Sequence, residues 1–283
     1  MTDRRTTPPA ARIGSALFVP GDDEHKLAKA IGAGAALVIA DLEDTVAERA
    51  KPAARDTVAT ALAQRAPGVW RCAVRINALD GPFAADDLAM AVDAGADAVV
   101  VPKARAGSLR ELDPGSVPPI IAIVETASGL QESDDIASAP GVWALLLGAV
   151  DLGVQLRLTP HSDGLELLFA RSKLVMDSAA AAIAAPIDAV HVDLSDESGL
   201  RRECELARSL GFGGKACIHP RQVPVVERAF APTPPELERA RRVVQAYEAA
   251  RRDGAGVVRV DGEMVDLPVY ERALDVVDDE RPR

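Results

Sequence analysis

Short apolar runs rich in β-branched residues recur along the chain, and each gives way to an Ala- and Leu-rich stretch of helical character. The runs fall at Ser15–Val19, Ala36–Ala40, Arg71–Ile76, Ala98–Val101, Ile120–Val124, Trp143–Leu147, Asp188–Val192 and Lys215–Ile218. Helical stretches lie between them, among them His25–Gly32, Pro52–Gln64, Asp86–Ala94 and Leu200–Leu210. Near-continuous apolarity, in place of alternation, marks strands buried on both faces, as in a parallel sheet covered by its crossover helices. Eight such βα units in about 220 residues predict a (β/α)8 TIM barrel over 13–230. An open doubly wound sheet is the competing arrangement.

No boundary interrupts the barrel pattern. At 231–235 the run APTPP breaks it and leads into a charged helix, Glu236–Arg252. GVVRVDGEMVDLP then reads as a hairpin, because Asp261-Gly262 between apolar alternations is a strong two-residue turn signal. Asp266 and Pro268 predict the capped start of a last helix that runs to Val277. A hairpin–helix extension over 231–283 lies outside the barrel count, so it is expected to pack on a neighbouring subunit or on the rim.

Composition narrows the classes. With 283 residues, 48% hydrophobic and 27% charged, the chain is far from disordered, collagen-like or disulfide-scaffold compositions. Only 3% is aromatic, so the core must be built from Ala, Val, Leu and Ile. Against 32 basic residues stand 43 acidic ones, a net charge of −11 that opposes a nucleic-acid or anionic membrane partner. Cys72, Cys204 and Cys217 form no CxxC pair, so buried free thiols in a reducing cytoplasm are expected, with neither zinc nor a disulfide framework. The apolar run at 142–150 is shorter than the roughly 18 residues of a spanning helix, and GSALFVPG is too short for a signal peptide.

The strand ends carry the candidate chemistry. Leaving the eight runs one meets Pro20-Gly21, Asp41-Leu42-Glu43-Asp44, Arg75 with Asn77, Lys103, Glu125, Asp151, Asp193 and His219. In a barrel these positions share the rim where active sites are built. Glu125 and Asp151 follow adjacent strands and can share one Mg2+, which takes one or two protein carboxylates and keeps its other positions for water and substrate. They can equally be two helix caps. Arg75 suits a carboxylate, a thioester carbonyl or a developing enolate, or else a rim salt bridge. Lys51 and Arg55, with Lys29, form either a basic cluster for a phosphorylated ligand or a solvated helix start. Lys103 is a further rim cation. His219 is either a general base or a hydrogen-bonded rim residue. GFGGK at 211–215 lacks the spacing of a phosphate loop and reads as a tight turn.

The ordered phrases ALFVPG, IADLEDTV with KPAAR, VRIN, VVVPK, IVETASGL, ELLFARSK, GFGGKACIHPRQV and GEMVDLP span nearly the whole chain, from Ser15 to Val277. In this set the chain resembles the citrate lyase β-subunit-like / malyl-CoA lyase family (HpcH/HpaI aldolase/citrate lyase), acyl-CoA carbon–carbon lyases. The resemblance implies a modified TIM barrel assembled as a homotrimer, a Mg2+ cofactor and an acyl-CoA substrate. It assigns the metal to Glu125 and Asp151, and substrate contacts to Arg75 and Phe18, with Glu125 beside them. Lys29 and Arg55 fall where the family meets coenzyme A. Asp266 matches an acid that the C-terminal segment delivers to the neighbouring subunit's site, and with Arg75 it makes up the expected catalytic pair. Two positions depart from the family: Val150 stands where a Glu usually precedes the metal-binding Asp, and His25 where some relatives have Lys.

Overall fold

The computed structural model describes residues 12–65 and 71–279. Eight parallel strands close on themselves: β1 (Gly14–Pro20), β2 (Leu37–Asp41), β3 (Cys72–Arg75), β4 (Ala98–Val101), β5 (Ile120–Val124), β6 (Val142–Leu147), β7 (Ile187–Asp188) and β8 (Gly214–Cys217), with β8 pairing back to β1. The helices of this unit are α1 (Glu24–Ile31), α2 (Lys51–Ala63), α3 (Ala84–Asp93), α4 (Ala106–Arg110), α5 (Ala127–Gln131) and α6 (Ser133–Ala137). They continue with α7 (Ala149–Leu156), α8 (Leu168–Ala180), α9 (Glu197–Leu210) and α10 (Val223–Phe230). The barrel reading holds and the open sheet is excluded. None of the described helices is long and apolar enough to cross a membrane.

Side-chain alternation sorts the strands into two cores. Ala16, Ile39, Ala73, Val100, Ile121, Ile123, Leu146, Ile187 and Ala216 belong to a cluster without helical residues, the barrel interior. Their neighbours one residue away, such as Leu17, Val38, Val74, Val99, Ala122, Leu145 and Cys217, pack outward with Leu27, Val58, Leu109, Leu174 and Leu200 of the helices. Small and branched residues dominate both, as the scarcity of aromatics requires. Burial pushes the thiols of Cys72, Cys204 and Cys217 up to about 12, which leaves them as apolar packing groups.

β7 departs from expectation. It is two residues long, Ile187–Asp188, and the predicted continuation to Val192 leaves the wall with Val192 exposed. In its place the seam beside β8 holds charge. The fully buried Lys215 puts Nζ 2.7 Å from Asp188 Oδ2 and 2.9 Å from Glu203 Oε2, and Arg171 Nε donates to Asp188 Oδ1 at 2.9 Å. Both cations hold the Asp188 carboxyl below its ordinary value against the opposing effect of burial. Lys215→Met strips one partner from the fully buried Asp188, so a loss of about 3–5 kcal/mol in urea unfolding is expected. A variant that unfolds with the parent would show the network to be dispensable.

Residues 231–279 belong to a second compact unit. Its elements are α11 (Pro234–Arg252), the hairpin strands β9 (Val258–Val260) and β10 (Glu263–Val265), and α12 (Leu267–Asp278). Thr233 and Glu236 close a capping box at the start of α11. Asp261 and Gly262 both take positive φ, 51° and 89°, as a type I′ turn demands. Tyr247 stacks on Tyr270 with centroids 4.6 Å apart over a small core of Ala240, Val243, Val265 and Ala273.

Candidate active site

Period-two alternation aims four side chains at one mouth. Phe18, Asp41, Arg75 and Glu125 each stand two residues beyond an interior residue: Ala16, Ile39, Ala73 and Ile123. All four follow the C-terminal direction of parallel strands, so they form the layer above the packed interior.

Arg75 is clamped there. Asp41 faces it in the β2–β3 register, and Nε and Nη2 donate to Asp41 Oδ1 and Oδ2, both at 2.7 Å. This bidentate fork leaves Nη1 beside Glu43 Oε2 at 3.0 Å and Asp44 Oδ2 at 3.4 Å. The guanidinium lies over the Phe18 ring, 5.2 Å from its centroid. Burial raises the Asp41 carboxyl, but its hydrogen bonds and attraction to Arg75 win, and the group is held below the ordinary range. Burial wins at Glu43, whose carboxyl is pushed up despite Lys103 and Arg75. Glu43 Oε2 lies out of line for a hydrogen bond from Arg75 and is buried without a donor among the described residues.

Glu125 is the second anchor. Its Oε1 accepts the Lys103 main-chain N–H at 2.6 Å, while the Lys103 ammonium goes elsewhere, to Glu43 Oε1, also at 2.6 Å. Burial, with repulsion from Glu43 and Asp151, pushes the Glu125 carboxyl up to about 7, against the opposing Lys103 N–H. Asp151 stands exposed in the first turn of α7. Between them Gly148 must be glycine, since a Cβ there would lie 2.3 Å from the Glu125 Cβ. No group of three His, Cys, Asp or Glu is poised for a metal among the described residues. Two neighbouring carboxylates, one raised by burial and by its acidic neighbours, fit a hard cation that completes its shell with water and substrate oxygens.

The remaining expected residues lie as follows. Lys29 is exposed on α1. Arg55 is half-buried, with Nη1 on the fully buried Asp87 at 2.9 Å and Nη2 on Asp86 at 3.2 Å, so any ligand shares it with these acids. Lys51 does not join a basic cluster: it is buried and donates to the Leu42 and Glu43 carbonyls at 2.8 and 3.0 Å. His219 takes the hydrogen-bonded role, its Nδ1 accepting from the Arg221 N–H. Asp266 belongs to the second unit, where it caps α12 by accepting from the Val269 N–H. The position of Val150 is on the wall of a cavity of about 930 Å3 between α7, α8 and α9, which neither Glu125 nor Asp151 lines. The rim salt bridge that the sequence offers as one role of Arg75 is present, and its partners, Asp41 and Glu43, read in the sequence only as rim acids. The Asp41–Arg75 register was the signal, and it is a property of the sheet.

A parallel eight-stranded barrel whose mouth gathers carboxylates around a clamped arginine is an enzyme's architecture, and the families that match the chain make it a carbon–carbon lyase. The chain belongs to the HpcH/HpaI aldolase/citrate lyase family, whose model matches residues 14–112 and 114–220. A model described as a C-C bond lyase of the TIM-barrel fold matches 169–272. The citrate lyase subunit beta of Leuconostoc mesenteroides subsp. cremoris is 36% identical, over 92% of this chain and 91% of that one. A (3S)-malyl-CoA thioesterase of Cereibacter sphaeroides is also 36% identical, over 89% of each. Among solved structures, the protein CitE from Mycobacterium tuberculosis in complex with magnesium, acetoacetate and coenzyme A superposes with a TM-score of 0.80 at 36% identity. That match covers 95% of this chain and 98% of the other.

Proposed function

We propose that this protein is a Mg2+-dependent acyl-CoA lyase. It would cleave a 3-hydroxyacyl-CoA carboxylate (malyl-, β-methylmalyl-, citramalyl- or citryl-CoA) into a short acyl-CoA and an oxo-acid. The observation that carries the reading is Glu125, a buried carboxylate with no cationic side-chain partner among the described residues, beside Asp151 at the mouth that also holds Arg75. The magnesium and coenzyme A bound to CitE support it. Glu125 and Asp151 would hold the cation, which when bound supplies Lewis acidity to the hydroxyl and carboxylate oxygens of the substrate.

The chain's own groups would do the rest. Asp41 occupies two of the five N–H groups of Arg75 and fixes the plane of the guanidinium. Nη1, which lies beside Glu43 and Asp44, and the second N–H of Nη2 would then be the donors that stabilise negative charge on the thioester oxygen as the carbon–carbon bond breaks. Phe18 supports the guanidinium from one face. Lys29 and Arg55 would attract the phosphates of coenzyme A on an otherwise acidic protein. Asp266 would act as acid or base in the mouth of a neighbouring subunit of a homotrimer.

A second reading is hydrolysis of the thioester at the same site, favoured by the relative named as a (3S)-malyl-CoA thioesterase. Mass-spectrometric turnover of the four thioesters, with Mg2+ or excess EDTA, decides between them. A metal-dependent oxo-acid with a short acyl-CoA supports the lyase, whereas a free hydroxy-acid with coenzyme A supports hydrolysis. No turnover of any thioester by the isolated chain would overturn both and favour either a partner-dependent subunit or an aldolase on free hydroxy-oxo-acids.

A further inference from the structure

We propose that Lys103 is a positioning residue that aims Glu125 at its ligand through a left-handed kink in its own backbone. The proposal rests on the reading of Glu125 as a metal-holding carboxylate.

Four described non-glycine residues have positive φ: Lys103, Arg157, Ala182 and Asp261. Three of them sit where such a conformation is ordinary. Arg157 ends α7, Ala182 lies in the turn after α8, and Asp261 is in the β9–β10 hairpin. Lys103, with φ 49°, also sits in a turn, Pro102-Lys103, two residues past the end of β4 on the mouth of the barrel, at a position that favours glycine. An L-residue resists this region because its Cβ crowds the backbone, and it persists there only when its surroundings hold it.

Two contacts show what the kink does and what holds it. At the kink the Lys103 N–H donates to Glu125 Oε1, 2.6 Å away, the hydrogen bond that fixes this carboxylate among the described residues. The Lys103 ammonium reaches back to the buried Glu43, 2.6 Å from Oε1, and ties the far end of the residue down. The functional group is thus the main-chain N–H, and the side chain is the anchor that keeps a strained backbone in place. Groups that orient a metal-holding carboxylate in this way typically contribute about 10- to 100-fold in metal affinity.

This division of labour makes an unusual ranking of variants. Lys103→Gly removes the whole side chain but enters the left-handed region freely, so it needs no anchor. Lys103→Met keeps the length and loses the anchor. Lys103→Val loses the anchor and adds a β-branch that further disfavours the kink. Lys103→Arg keeps the anchor. Binding of Mn2+ alone, followed by electron paramagnetic resonance on thermally matched, folded protein, is expected to be parental in Lys103→Arg and Lys103→Gly. It should be weaker in Lys103→Met and weakest, by about tenfold or more, in Lys103→Val. A role for the ammonium as such would place glycine with methionine or below it, and that order overturns the proposal. So does parental binding by Lys103→Val; if that variant does not fold, the glycine–methionine order alone decides. Glu125→Gln is the control: if it binds Mn2+ as the parent does, the reading of Glu125 fails and the Lys103 proposal with it.

Discussion

Arg75→Lys is expected to keep most of the stability of the fold and to lose about a hundredfold or more in turnover, while Arg75→Ala loses both. The difference follows from what the guanidinium does. Its charge compensates Asp41, which is fully buried, and Glu43, which is nearly so. Removing that charge strands Asp41 and leaves Glu43 with Lys103 alone, and breaking a buried pair in this way costs about 3–5 kcal/mol. Lysine restores the charge, so urea unfolding should recover towards the parent. An ammonium cannot match the two oxygens of Asp41 and still present N–H groups to the mouth in a fixed plane. Unfolding and turnover measured on both variants separate the two roles. Parental turnover by Arg75→Lys would show that only charge is needed, and the oriented-donor mechanism would be lost.

The second large effect is a pH dependence set by Glu125. In the unfolded chain its carboxyl has the ordinary value of 4.5, and the fold pushes it up to about 7. Between these values the folded protein retains a proton that the unfolded chain has given up. Stability of the metal-free protein therefore falls as pH rises through this window, by about 3 kcal/mol in all. Binding of Mg2+ demands the ionised form, so below pH 7 its affinity drops about tenfold for each unit of acidification. Melting temperatures at pH 6 and pH 8 in EDTA and in Mg2+ test both halves. The EDTA-treated parent should melt lower at pH 8, and added Mg2+ should raise it more at pH 8 than at pH 6. Glu125→Gln carries no charge to bury, so in EDTA at pH 8 it should melt above the parent and gain little from Mg2+. A Glu125→Gln protein that Mg2+ stabilises as strongly as the parent would remove Glu125 from the metal.

Much of this molecule is legible in its amino-acid order. β4 and β5 fall on the predicted residues, Ala98–Val101 and Ile120–Val124, because their apolar runs end where polar rim residues begin. β7 was overextended because Val190 and Val192 prolong the apolar run after the chain has left the wall, and local composition does not record that departure. The rim as a set of strand-end polar residues was visible too, along with Arg75, Glu125 and Asp151 as its chemistry. What stayed hidden depends on groups distant in sequence. Lys51 reads as a surface cation until the loop after β2 folds its carbonyls over the ammonium. The hold of Asp41 on Arg75 depends on strand register, and VVVPK reads as extended chain, with no sign that Lys103 turns left-handed.

The short seventh strand gives the barrel an uneven wall. One residue pair joins β6 to β7 and two join β7 to β8, where β1–β2 and β5–β6 have five each. Main-chain ladders tolerate acid, whereas the cement at this seam is Asp188 held between Lys215 and Arg171. Acid that protonates Asp188 discharges one side of the joint, leaving the buried Arg171 without its carboxylate and Lys215 with Glu203 alone. The ring then has a thin stave, on the side of α8 and α9, where it would begin to come apart. Salt would do little to loosen it, because the charges lie out of reach of the ionic atmosphere.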